Sequence, residues 1–377
     1  MSITFRSPKE SKLLIFDQET ESQLGQSVLA DIEYEILHAR KEKFSLHPKT
    51  IAYAIGNSIS LYIRNRKSGK RMGIAGNIYF SYLLAFVQVT KPKVVFTFID
   101  NDWRFQLMSR LYNKATFIAV QNGVRSEFNL RVDLPPRNHP GYPISMTTLY
   151  CFGELEKGDY ERFGHTVDNF VPVGSVQASW FKYKLGTREN RSPNYDLALI
   201  SQWSRDVMQG DCYPEIRRSV AQTDLYLKKF LDNHPLKFAV ALRSNDDEEC
   251  RYYRSVFGDS AILVDRQTKE MSSYFVANNS EVVVVLDSTL GREAYGWGKK
   301  VLFINFTGHD CYRTPVDEIS YLDELDFNVF KSKLEFLLTE SSEDFCCRTK
   351  ATRDALVSQK IVAFKKIRTD ILSLLSK

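Results

Sequence analysis

The sequence lacks the cysteine and histidine spacings that build a metal site or a disulfide framework. Its six cysteines are scattered, only Cys346 and Cys347 are close together, and no CxxC or Cys/His ligand pattern occurs. We therefore expect reduced thiols, as in cytosolic proteins. The acidic run 246–249 could bind a divalent ion, but the interpretation we prefer is a solvated helix start. The pattern predicts no bound metal and no cofactor.

Long apolar segments and a signal peptide are also missing. No run of 18 uncharged apolar residues occurs, which argues against a transmembrane helix. Met1 is followed by a polar, charged segment, so we expect a cytoplasmic protein. The net charge of +5 is too small to indicate nucleic acid by itself, although it suits a nucleotide or an anionic membrane surface.

The chain contains enough apolar material for two α/β domains. With 377 residues, of which 43% are hydrophobic, it can build two sizeable cores. Short apolar runs alternate with segments of helical periodicity, the pattern of doubly wound domains with parallel sheets. The predicted strands are 12–16, 93–99, 116–120, 149–152, 170–173, 196–200, 237–242, 260–264, 282–286 and 301–304. The predicted helices are 21–41, 53–64, 78–89, 103–112, 160–164, 213–232, 271–278, 331–338 and 349–375.

Two segments break this alternation. Residues 129–147 hold four of the 12 prolines and predict a long loop, of the kind that often carries function. Residues 186–194 are polar, charged and aperiodic, which predicts a linker. We therefore expect an N-terminal α/β domain over 1–186, a C-terminal α/β domain over 187–355, and a final helix over 356–377.

The stretch 281–306 has the clearest local pattern, which predicts a strand, a turn, a helix and a second strand. Val282–Leu286 is an unbroken apolar run, typical of a strand buried on both faces of a parallel sheet. Asp287, Ser288 and Thr289 follow as good N-cap residues. A helix start at the carboxyl end of a parallel strand offers free N–H groups and a positive dipole end to an anion. An ordinary capped connection is the alternative, and both remain open.

Five short motifs are spread along the chain, each beside a predicted strand or linker. They are QNGVR at 121–125, PVGS at 172–175, ISQ at 200–202, ALRSN at 241–245 and DSTLGREA at 287–294. With this layout the chain resembles bacterial surface-carbohydrate biosynthesis transferases, the group around capsule and O-antigen assembly. That group includes relatives of the Kdo transferases, the polysialyltransferases and the glycerophosphotransferases of teichoic-acid synthesis. The resemblance implies a GT-B architecture, with two Rossmann-like doubly wound domains facing across a cleft and a C-terminal helix crossing back.

The resemblance also implies an activity. We expect a glycosyltransferase that moves a sugar from a CMP- or NDP-activated donor to a surface polysaccharide or glycolipid, without a bound metal and without nucleic acid as a partner. Where relatives carry His-Pro near the donor phosphate, Ser244 and Asn245 stand here, so the donor class stays open. The alternatives are a nucleotide-sugar epimerase, which shares the two-domain fold, and a non-catalytic nucleotide-binding subunit of a polysaccharide assembly complex.

The donor side needs groups that hold a nucleotide and stabilise the departing phosphate. The candidate donor-binding residues are Ser201, Gln202, Arg243, Ser288, Thr289, Gly291 and Glu293. Arg243 would offer a planar, permanently charged fork to the phosphate, and Glu293 would accept hydrogen bonds from the ribose. Alternatively, Arg243 forms a surface ion pair with Asp246 or Asp247. The alternative for Glu293 is a first-turn carboxylate favoured by the helix dipole.

Transfer with inversion also needs a general base near the acceptor hydroxyl. Asp17 and Asp100 are the candidates, because each follows an apolar strand and ligands bind beyond the carboxyl ends of such strands. Glu19 and Asp102 are held in reserve, and each acid could instead cap the next helix. The candidate acceptor- or sugar-binding residues are Asn101, Gln121, Asn122 and Arg125. The QNG sequence could equally form a tight turn at Gly123.

The last predicted helix combines basic and apolar residues. Lys365, Lys366 and Arg368 stand beside Phe364 and Ile367, a pattern that suits peripheral contact with the inner face of the cell membrane. The alternative, which we prefer, is a helix packed across both domains. The expected partners are a nucleotide-sugar donor and a glycan or lipid-linked glycan acceptor, and peripheral contact of this helix with the inner membrane is the less favoured interpretation.

Overall fold

The computed structural model describes residues 2–68, 73–125, 130, 145–186, 194–210, 213–244, 246–265 and 271–376. The chain divides into two compact units, one of Met1–Val176 with Ile361–Lys377 and one of Gln177–Lys360. Most of the predicted long loop, the core of the predicted linker and Asn245 lie outside the described residues.

Strands and helices alternate along most of the chain, as the sequence pattern predicts. The strands are β1 Ser2–Thr4, β2 Leu13–Phe16, β3 Glu35–Leu37, β4 Lys43–Ser45, β5 Val94–Thr97, β6 Thr116–Val120, β7 Ser145–Cys151, β8 Thr166–Pro172, β9 Tyr195–Ile200, β10 Phe238–Ala241, β11 Ile262–Val264, β12 Ser280–Val285, β13 Lys300–Ile304 and β14 Tyr321–Leu322. The helices are α1 Gln18–Leu24, α2 Pro48–Ser68, α3 Ile74–Thr90, α4 Trp103–Leu111, α5 Leu155–Arg162, α6 Val176–Leu185, α7 Arg205–Gln209, α8 Pro214–Leu231, α9 Asp247–Phe257, α10 Ser272–Asn278, α11 Thr289–Gly296, α12 Phe327–Thr339, α13 Ser342–Leu356 and α14 Ala363–Ser376.

The main sheet of the first unit has the strand order β3-β2-β5-β6-β7-β8, and its neighbouring strands are parallel. The order reverses between β2 and β5. In open α/β sheets, ligands bind beyond the carboxyl ends of the strands at such a reversal point. Asp17 directly follows β2, and Asp100 lies in the turn after β5, so the topology puts both predicted acids at the strand ends that flank the reversal.

Buried hydroxyl groups connect β2 to β5 at this point. The Thr20 hydroxyl donates to the Phe16 carbonyl at 3.1 Å and accepts from the Phe98 amide at 2.9 Å. Thr97 is also fully buried, and its hydroxyl accepts from the Ile99 amide at 3.0 Å. These bonds satisfy backbone groups that the end of the sheet would otherwise leave unpaired, and they fix the two strand ends relative to each other.

The sheet of the second unit has the order β11-β10-β9-β12-β13-β14, again with parallel neighbours. This is the order of dinucleotide-binding Rossmann sheets, with its reversal point between β9 and β12. Val282, Val283, Val284 and Val285 of β12 are fully buried, which confirms a strand covered on both faces. Residues 281–306 thus contain the predicted strand, turn, helix and strand.

Two predicted helices are wrong in extent. The predicted helix 21–41 ends at Leu24, because the chain turns at Gly25 and then pairs β3 with β2. The predicted helix 349–375 is two helices, α13 and α14. The break falls where Val357 packs directly against Gly296, at which an added Cβ would lie 2.7 Å from the valine.

Helix α6 belongs with the second unit. Phe181 packs edge to face on Phe275, with ring centroids 5.1 Å apart, and the Lys182 ammonium donates to Asn278 at 3.1 Å. The contacts therefore divide the chain at Gln177, before the predicted boundary at 186.

The C-terminal helix α14 returns to the first unit, so the chain crosses back as the resemblance implies. Ile367 is fully buried, and the Tyr150 hydroxyl donates to Asp370 at 2.6 Å. The Arg368 guanidinium donates to the Val28 carbonyl at 3.3 Å. Part of the basic face is thus engaged within the unit. Among the described residues, no helix combines the length and apolarity needed to cross a membrane.

Candidate functional site

A pocket of about 250 Å³ lies in the second unit at the carboxyl ends of its strands. It sits at the reversal point, since Gln202 follows β9 and Asp287 follows β12. Its polar lining includes Gln202, Arg243, Asp287, Asn305, Thr307 and Tyr312. Its volume is close to the lower end of small-molecule sites, and a few convergent polar groups are typical of them.

One side of this pocket is held in place by Glu249, a fully buried carboxylate on α9. It accepts hydrogen bonds from the amides of Arg243 and Ser244, both at 2.8 Å, and from the Ser244 hydroxyl at 2.7 Å. The Ser201 hydroxyl also donates to it. Glu249 therefore joins the ends of β9 and β10 and fixes the backbone of Arg243, an exposed residue that lines the pocket.

Ser201, a predicted donor-binding residue, is buried behind the pocket lining and stabilises it through hydrogen bonds. Its hydroxyl accepts from the Trp203 amide at 3.1 Å and from the Tyr253 hydroxyl at 3.0 Å, and the residue is 3% exposed. Since this hydroxyl already donates to Glu249, its hydrogen-bonding capacity is filled. Gln202, the next residue, lines the pocket.

The acidic run beside Arg243 starts a helix, as predicted. Asp246 accepts from the Glu248 amide at 2.9 Å and pairs with Arg205 at 2.9 Å. Glu249 departs from the prediction, because it is buried rather than solvated. Within the part of the chain that the structure describes, no group of three or more His, Cys, Asp or Glu side chains is arranged to hold a metal ion.

The start of α11 lies next to the pocket. Ser288 is its N-cap and Thr289 its first residue. They directly follow Asp287, which lines the pocket. Burial raises the pKa of the Asp287 carboxyl, and the positive charge of Arg292 opposes that effect. The lining thus includes a carboxyl group and a guanidinium group, and the N-terminus of α11 follows the lining residue Asp287 directly in sequence, although Ser288 and Thr289 do not themselves belong to the lining.

Gly291 and Glu293 are used in packing this helix. A Cβ at Gly291 would lie 2.7 Å from the side chain of Val285, so the glycine permits the close approach of α11 to β12. Glu293 is 3% exposed, and it accepts from the Tyr274 hydroxyl at 2.8 Å. Neither belongs to the described lining of the pocket. Their role in donor binding remains a prediction.

In the first unit, Asp100 is the centre of a buried network. Arg125 donates to it through Nε at 2.9 Å and also through Nη2, and the Tyr160 hydroxyl donates at 3.1 Å. The Asn122 amide lies 3.3 Å from the same carboxylate, and the Asn122 side chain accepts from Arg125 at 2.6 Å. The structure thus brings together Asp100, Asn122 and Arg125. Arg125 neutralises the charge of Asp100, and Asn122 orients the Arg125 guanidinium.

Asp17 differs from Asp100 in having a cationic partner that is half exposed rather than buried. It is fully buried, and one oxygen caps α1 by accepting from the Glu19 amide at 2.8 Å. The other oxygen lies 2.8 Å from Nε of Arg40, whose side chain is 48% exposed. Burial raises the pKa of Asp17. Its φ of 86° is in the left-handed region that non-glycine residues rarely adopt, and such strain clusters at functional sites.

The remaining predicted residues of the first unit have different surroundings. Gln121 is buried, accepts from the Phe152 amide at 3.0 Å and donates to the Gly123 carbonyl at 3.0 Å. Asn101 is exposed beside the strand end. Asp102, a reserve candidate, caps α4 by accepting from the Arg104 amide at 2.8 Å. Gln121 therefore holds the segment after β6, which bends at Gly123; Gly123 is not among the described glycines with a positive φ, so the tight turn predicted there as one alternative is wrong.

Sequence reasoning missed Asn305, Thr307 and Tyr312. The Asn305 side chain donates to the His309 carbonyl at 3.0 Å and accepts from the Thr307 amide at 3.3 Å, which orders the loop after β13 against the pocket. A signal was available, because Asn305 directly follows an apolar strand. The same criterion selected the acids of the first half.

Solved structures share this fold along nearly the whole chain. A UDP-GlcNAc 2-epimerase from Neisseria meningitidis bound to UDP-GlcNAc has a TM-score of 0.53 and 13% identity, with 100% of each chain covered. A variant of the wall teichoic acid polymerase TagF has a TM-score of 0.53 and 12% identity, covering 98% of this chain and 91% of that one. A Methanocaldococcus jannaschii UDP-GlcNAc 2-epimerase in complex with UDP-GlcNAc and UDP has a TM-score of 0.52 and 12% identity, covering 99% and 100%. The likeness confirms the predicted GT-B-like fold of two Rossmann-like units.

The family assignment comes from the sequence. No curated protein matches the chain. Residues 118–344, more than half of the chain, match a family of O-antigen biosynthesis proteins. The match runs from β6 into α13 and includes the pocket and the Glu249 network. The chain therefore belongs to this family of O-antigen biosynthesis proteins.

Proposed function

We propose that the protein is a cytoplasmic, metal-independent glycosyltransferase that moves a sugar from a nucleotide-activated donor to an O-antigen glycan or its glycolipid precursor. The observation that carries the proposal is the pocket at the strand-reversal point of the second unit. Arg243 lines this pocket, and α11 starts two residues after the lining residue Asp287. A guanidinium group and a helix N-terminus both favour a phosphate. Membership of the O-antigen family supports a carbohydrate substrate.

In this proposal the second unit holds the nucleotide. Arg243 pairs with the phosphate and stabilises the charge that develops as the sugar–phosphate bond breaks. The backbone amides at Ser288 and Thr289 direct the positive ends of their dipoles at the phosphate, and so add to the effect of the Arg243 charge. Asp287 accepts hydrogen bonds from the ribose, a role that the sequence assigned to Glu293. The structure favours Asp287 because it lines the pocket, whereas Glu293 already accepts a bond from Tyr274.

Asp17 is the proposed general base, ahead of Asp100. The base must take the proton of the acceptor hydroxyl while that oxygen attacks the sugar. Asp100 is held by Arg125, whose side chain is 8% exposed, so this carboxylate is locked in a structural pair. The cationic partner of Asp17 is the half-exposed Arg40, which also pairs with Glu19. In this proposal the acceptor displaces Arg40 from Asp17. Burial also raises the pKa of Asp17, which makes it a stronger base.

Nucleotide binding tests the donor site. Thermal-shift measurements with CMP, CDP, UDP and GDP should identify one nucleotide that stabilises the wild-type protein. Arg243→Ala should raise the Kd of that nucleotide about 10- to 100-fold, since a hydrogen bond to a charged group is worth about 1.5–3 kcal/mol. Arg205→Ala is the matched control, because Arg205 is exposed and pairs with Asp246. Unchanged affinity in both Arg243→Ala and Asp287→Asn would place the donor elsewhere.

A transfer assay tests the base. With a radiolabelled donor and a glycolipid acceptor, Asp17→Asn should lower turnover about 10²- to 10⁴-fold and leave the Kd of the nucleotide unchanged. Asp168→Asn, at an exposed position on β8, should keep wild-type turnover. Near-normal turnover of Asp17→Asn would exclude it as the base, and Asp100→Asn would then be the next variant to assay.

An epimerase is the second candidate, since two of the structures with this fold are UDP-GlcNAc 2-epimerases. Such an enzyme acts on the nucleotide sugar alone. Incubation with UDP-GlcNAc and no acceptor, followed by chromatography of the nucleotide sugars, separates the two functions. A new epimeric nucleotide sugar would support the epimerase. Product that forms only with acceptor supports the transferase, and nucleotide binding without either reaction would indicate a non-catalytic subunit.

A further inference from the structure

Helix α2 of the first unit exposes its apolar residues. Ile51, Ile55, Ile59 and Ile63 follow one another at intervals of four residues and are 40%, 58%, 59% and 50% exposed. Tyr62 is 59% exposed beside them. Residues at this spacing share one side of a helix. The five side chains therefore form a stripe, the α2 stripe, along the outer side of the helix.

The inward side of α2, which packs on α3, combines polar side chains with Leu61, which is 5% exposed and belongs to the hydrophobic core of the first unit. The Asn57 side chain donates to Gln88 at 3.0 Å and to the Ser81 carbonyl at 3.3 Å. The Ser58 hydroxyl lies 3.2 Å from the Asn77 side-chain oxygen. Hydrogen bonds between polar side chains thus hold the two helices together.

Most large apolar side chains of α2 thus face away from the core, whereas in a surface helix of a water-soluble domain the apolar stripe faces the core. Polar and small side chains between helices, with large apolar ones outside, are typical of helices in contact with lipid. A contiguous exposed apolar surface marks an interaction site. At the start of α3, Ile74 and Ile78 extend the apolar exposure, at 80% and 58%.

Charge identifies the partner. The sequence from Lys43 to Ile99 contains no Asp or Glu and has nine Lys or Arg residues. Arg64 and Arg66 are exposed at the end of the α2 stripe. A symmetric contact with a second copy would bring two such acid-free, basic surfaces together, and like charges disfavour that. A nucleic acid would leave the isoleucines in water. An anionic bilayer offers both hydrocarbon for the isoleucines and negative charge for the basic residues.

We propose that the α2 stripe docks the protein onto an anionic lipid bilayer. Helix α2 would lie in the plane of the interface, with the isoleucines among the acyl chains, Tyr62 at the headgroup level, and Arg64 and Arg66 on anionic headgroups. It lies on the bilayer without spanning it, in agreement with the absence of a membrane-crossing helix among the described residues. This surface is different from α14, for which membrane contact was the less favoured interpretation and where Arg368 binds the Val28 carbonyl.

Vesicle co-sedimentation of the purified full chain tests the proposal without requiring any catalytic activity. Vesicles of phosphatidylcholine with about 30% phosphatidylglycerol should bind the wild type, and pure phosphatidylcholine vesicles should bind it at least about tenfold more weakly, because each basic residue contributes about 1 kcal/mol at an anionic surface. Raising the salt concentration should weaken binding to the anionic vesicles, since it screens the charges.

Two variants and one matched control locate the contact. Ile55→Ser with Ile59→Ser should reduce vesicle binding at least about tenfold through lost apolar burial, and Arg64→Glu with Arg66→Glu should do so through charge. Leu372→Ser is the control, since Leu372 is an exposed apolar residue of α14 in the same unit, at 44% exposure. Circular dichroism should show the same helix content in all of these proteins.

Three results would overturn the proposal. One is a wild type that binds no anionic vesicle at low salt. Another is equal vesicle binding by Ile55→Ser/Ile59→Ser and by Leu372→Ser. The third is a wild type that sediments as a dimer by analytical ultracentrifugation and becomes monomeric with Ile59→Asp, because a second copy would then cover the α2 stripe.

Discussion

The two units stabilise a buried carboxylate at their strand ends in different ways. In the first unit, Asp100 is paired with the Arg125 guanidinium and also accepts from Tyr160. In the second unit, Glu249 is surrounded by neutral donors, which are backbone amides and the hydroxyls of Ser201 and Ser244. Both acids are fully buried and organise a loop. One uses an ion pair, and the other uses dipoles.

The difference predicts how each network responds to substitution. Removing one partner of a buried ion pair leaves a desolvated charge behind and costs about 3–5 kcal/mol. Losing some of several neutral donors costs about 1–3 kcal/mol for each buried group left unsatisfied. The first unit therefore concentrates its stabilisation in one contact, whereas the second spreads it over several.

The largest effect is expected for Arg125→Met, which leaves Asp100 without its cation. The free energy of local opening around β5 and β6 should fall by about 3–5 kcal/mol. Hydrogen exchange followed by mass spectrometry measures this for each unit separately, which matters because a two-unit chain has no single unfolding free energy. The exposed Arg162 supplies the control variant Arg162→Met.

A second substitution sharpens this prediction. Adding Asp100→Asn to Arg125→Met removes the unpaired charge, so protection of β5 and β6 should recover in part. Equal exchange in Arg125→Met and Arg162→Met would contradict the ion-pair account.

A smaller effect is expected for Glu249→Gln. The glutamine keeps one acceptor oxygen and places an NH2 group either where Oε1 accepts from Ser201 and Arg243 or where Oε2 accepts from the amide and hydroxyl of Ser244, so one or two bonds are lost. Protection of β9 and β10 should fall by about 2–3 kcal/mol. Glu248→Gln is the control, because that neighbour is only partly buried and pairs with Arg205. A loss of about 5 kcal/mol in Glu249→Gln would mean that the charge, and not the donor set, organises this loop.

The strand ends could be predicted from the sequence because a buried parallel strand is an unbroken apolar run. The predicted 116–120 coincides with β6, and the predicted 301–304 lies within β13. The loop residues that follow such strands were thereby located, including Asp17, Gln202 and Asp287. For this reason, residues named from the sequence line the pocket and stand at the strand ends of the first unit.

Which side chains meet could not be predicted in the same way. Asp100 and Arg125 come together only because β5 and β6 are adjacent, and strand order is a tertiary property. Glu249 was hidden in an acidic run that is typical of a solvated helix start. Its burial follows from helix phase, since it shares one face of α9 with Tyr253 and Phe257 at intervals of four residues. That periodicity was the available signal.

The smallest effect is expected for Asp224 on α8, a third buried acid, which accepts a hydrogen bond from one hydroxyl group. This carboxyl is 2% exposed and accepts from the Tyr252 hydroxyl at 2.7 Å. Burial raises its pKa from 3.8 to about 7, and the Tyr252 hydrogen bond opposes that effect. Burial therefore makes ionisation of Asp224 costly in the folded chain.

The pH dependence of stability follows from the raised pKa of Asp224. The folded-state pKa of Asp224 lies above its unfolded value, so the folded chain binds the proton more tightly. Stability should therefore fall as pH rises from about 4 to about 7 and then level off. Asp224→Asn removes this titration while keeping an oxygen for Tyr252. It should thus gain about 1–3 kcal/mol relative to wild type between pH 5 and pH 8.

Exchange protection of α8 and α9 at the two pH values, after correction for intrinsic exchange rates, measures the gain. The exposed Asp232, at the end of the same helix, supplies the control variant Asp232→Asn. Other titrating groups are common to all three proteins and cancel in the difference. If Asp224→Asn loses protection at pH 8, the ionised carboxylate is stabilised by Tyr252 more strongly than burial destabilises it. Asp224 would then join Glu249 as an acid held by neutral donors.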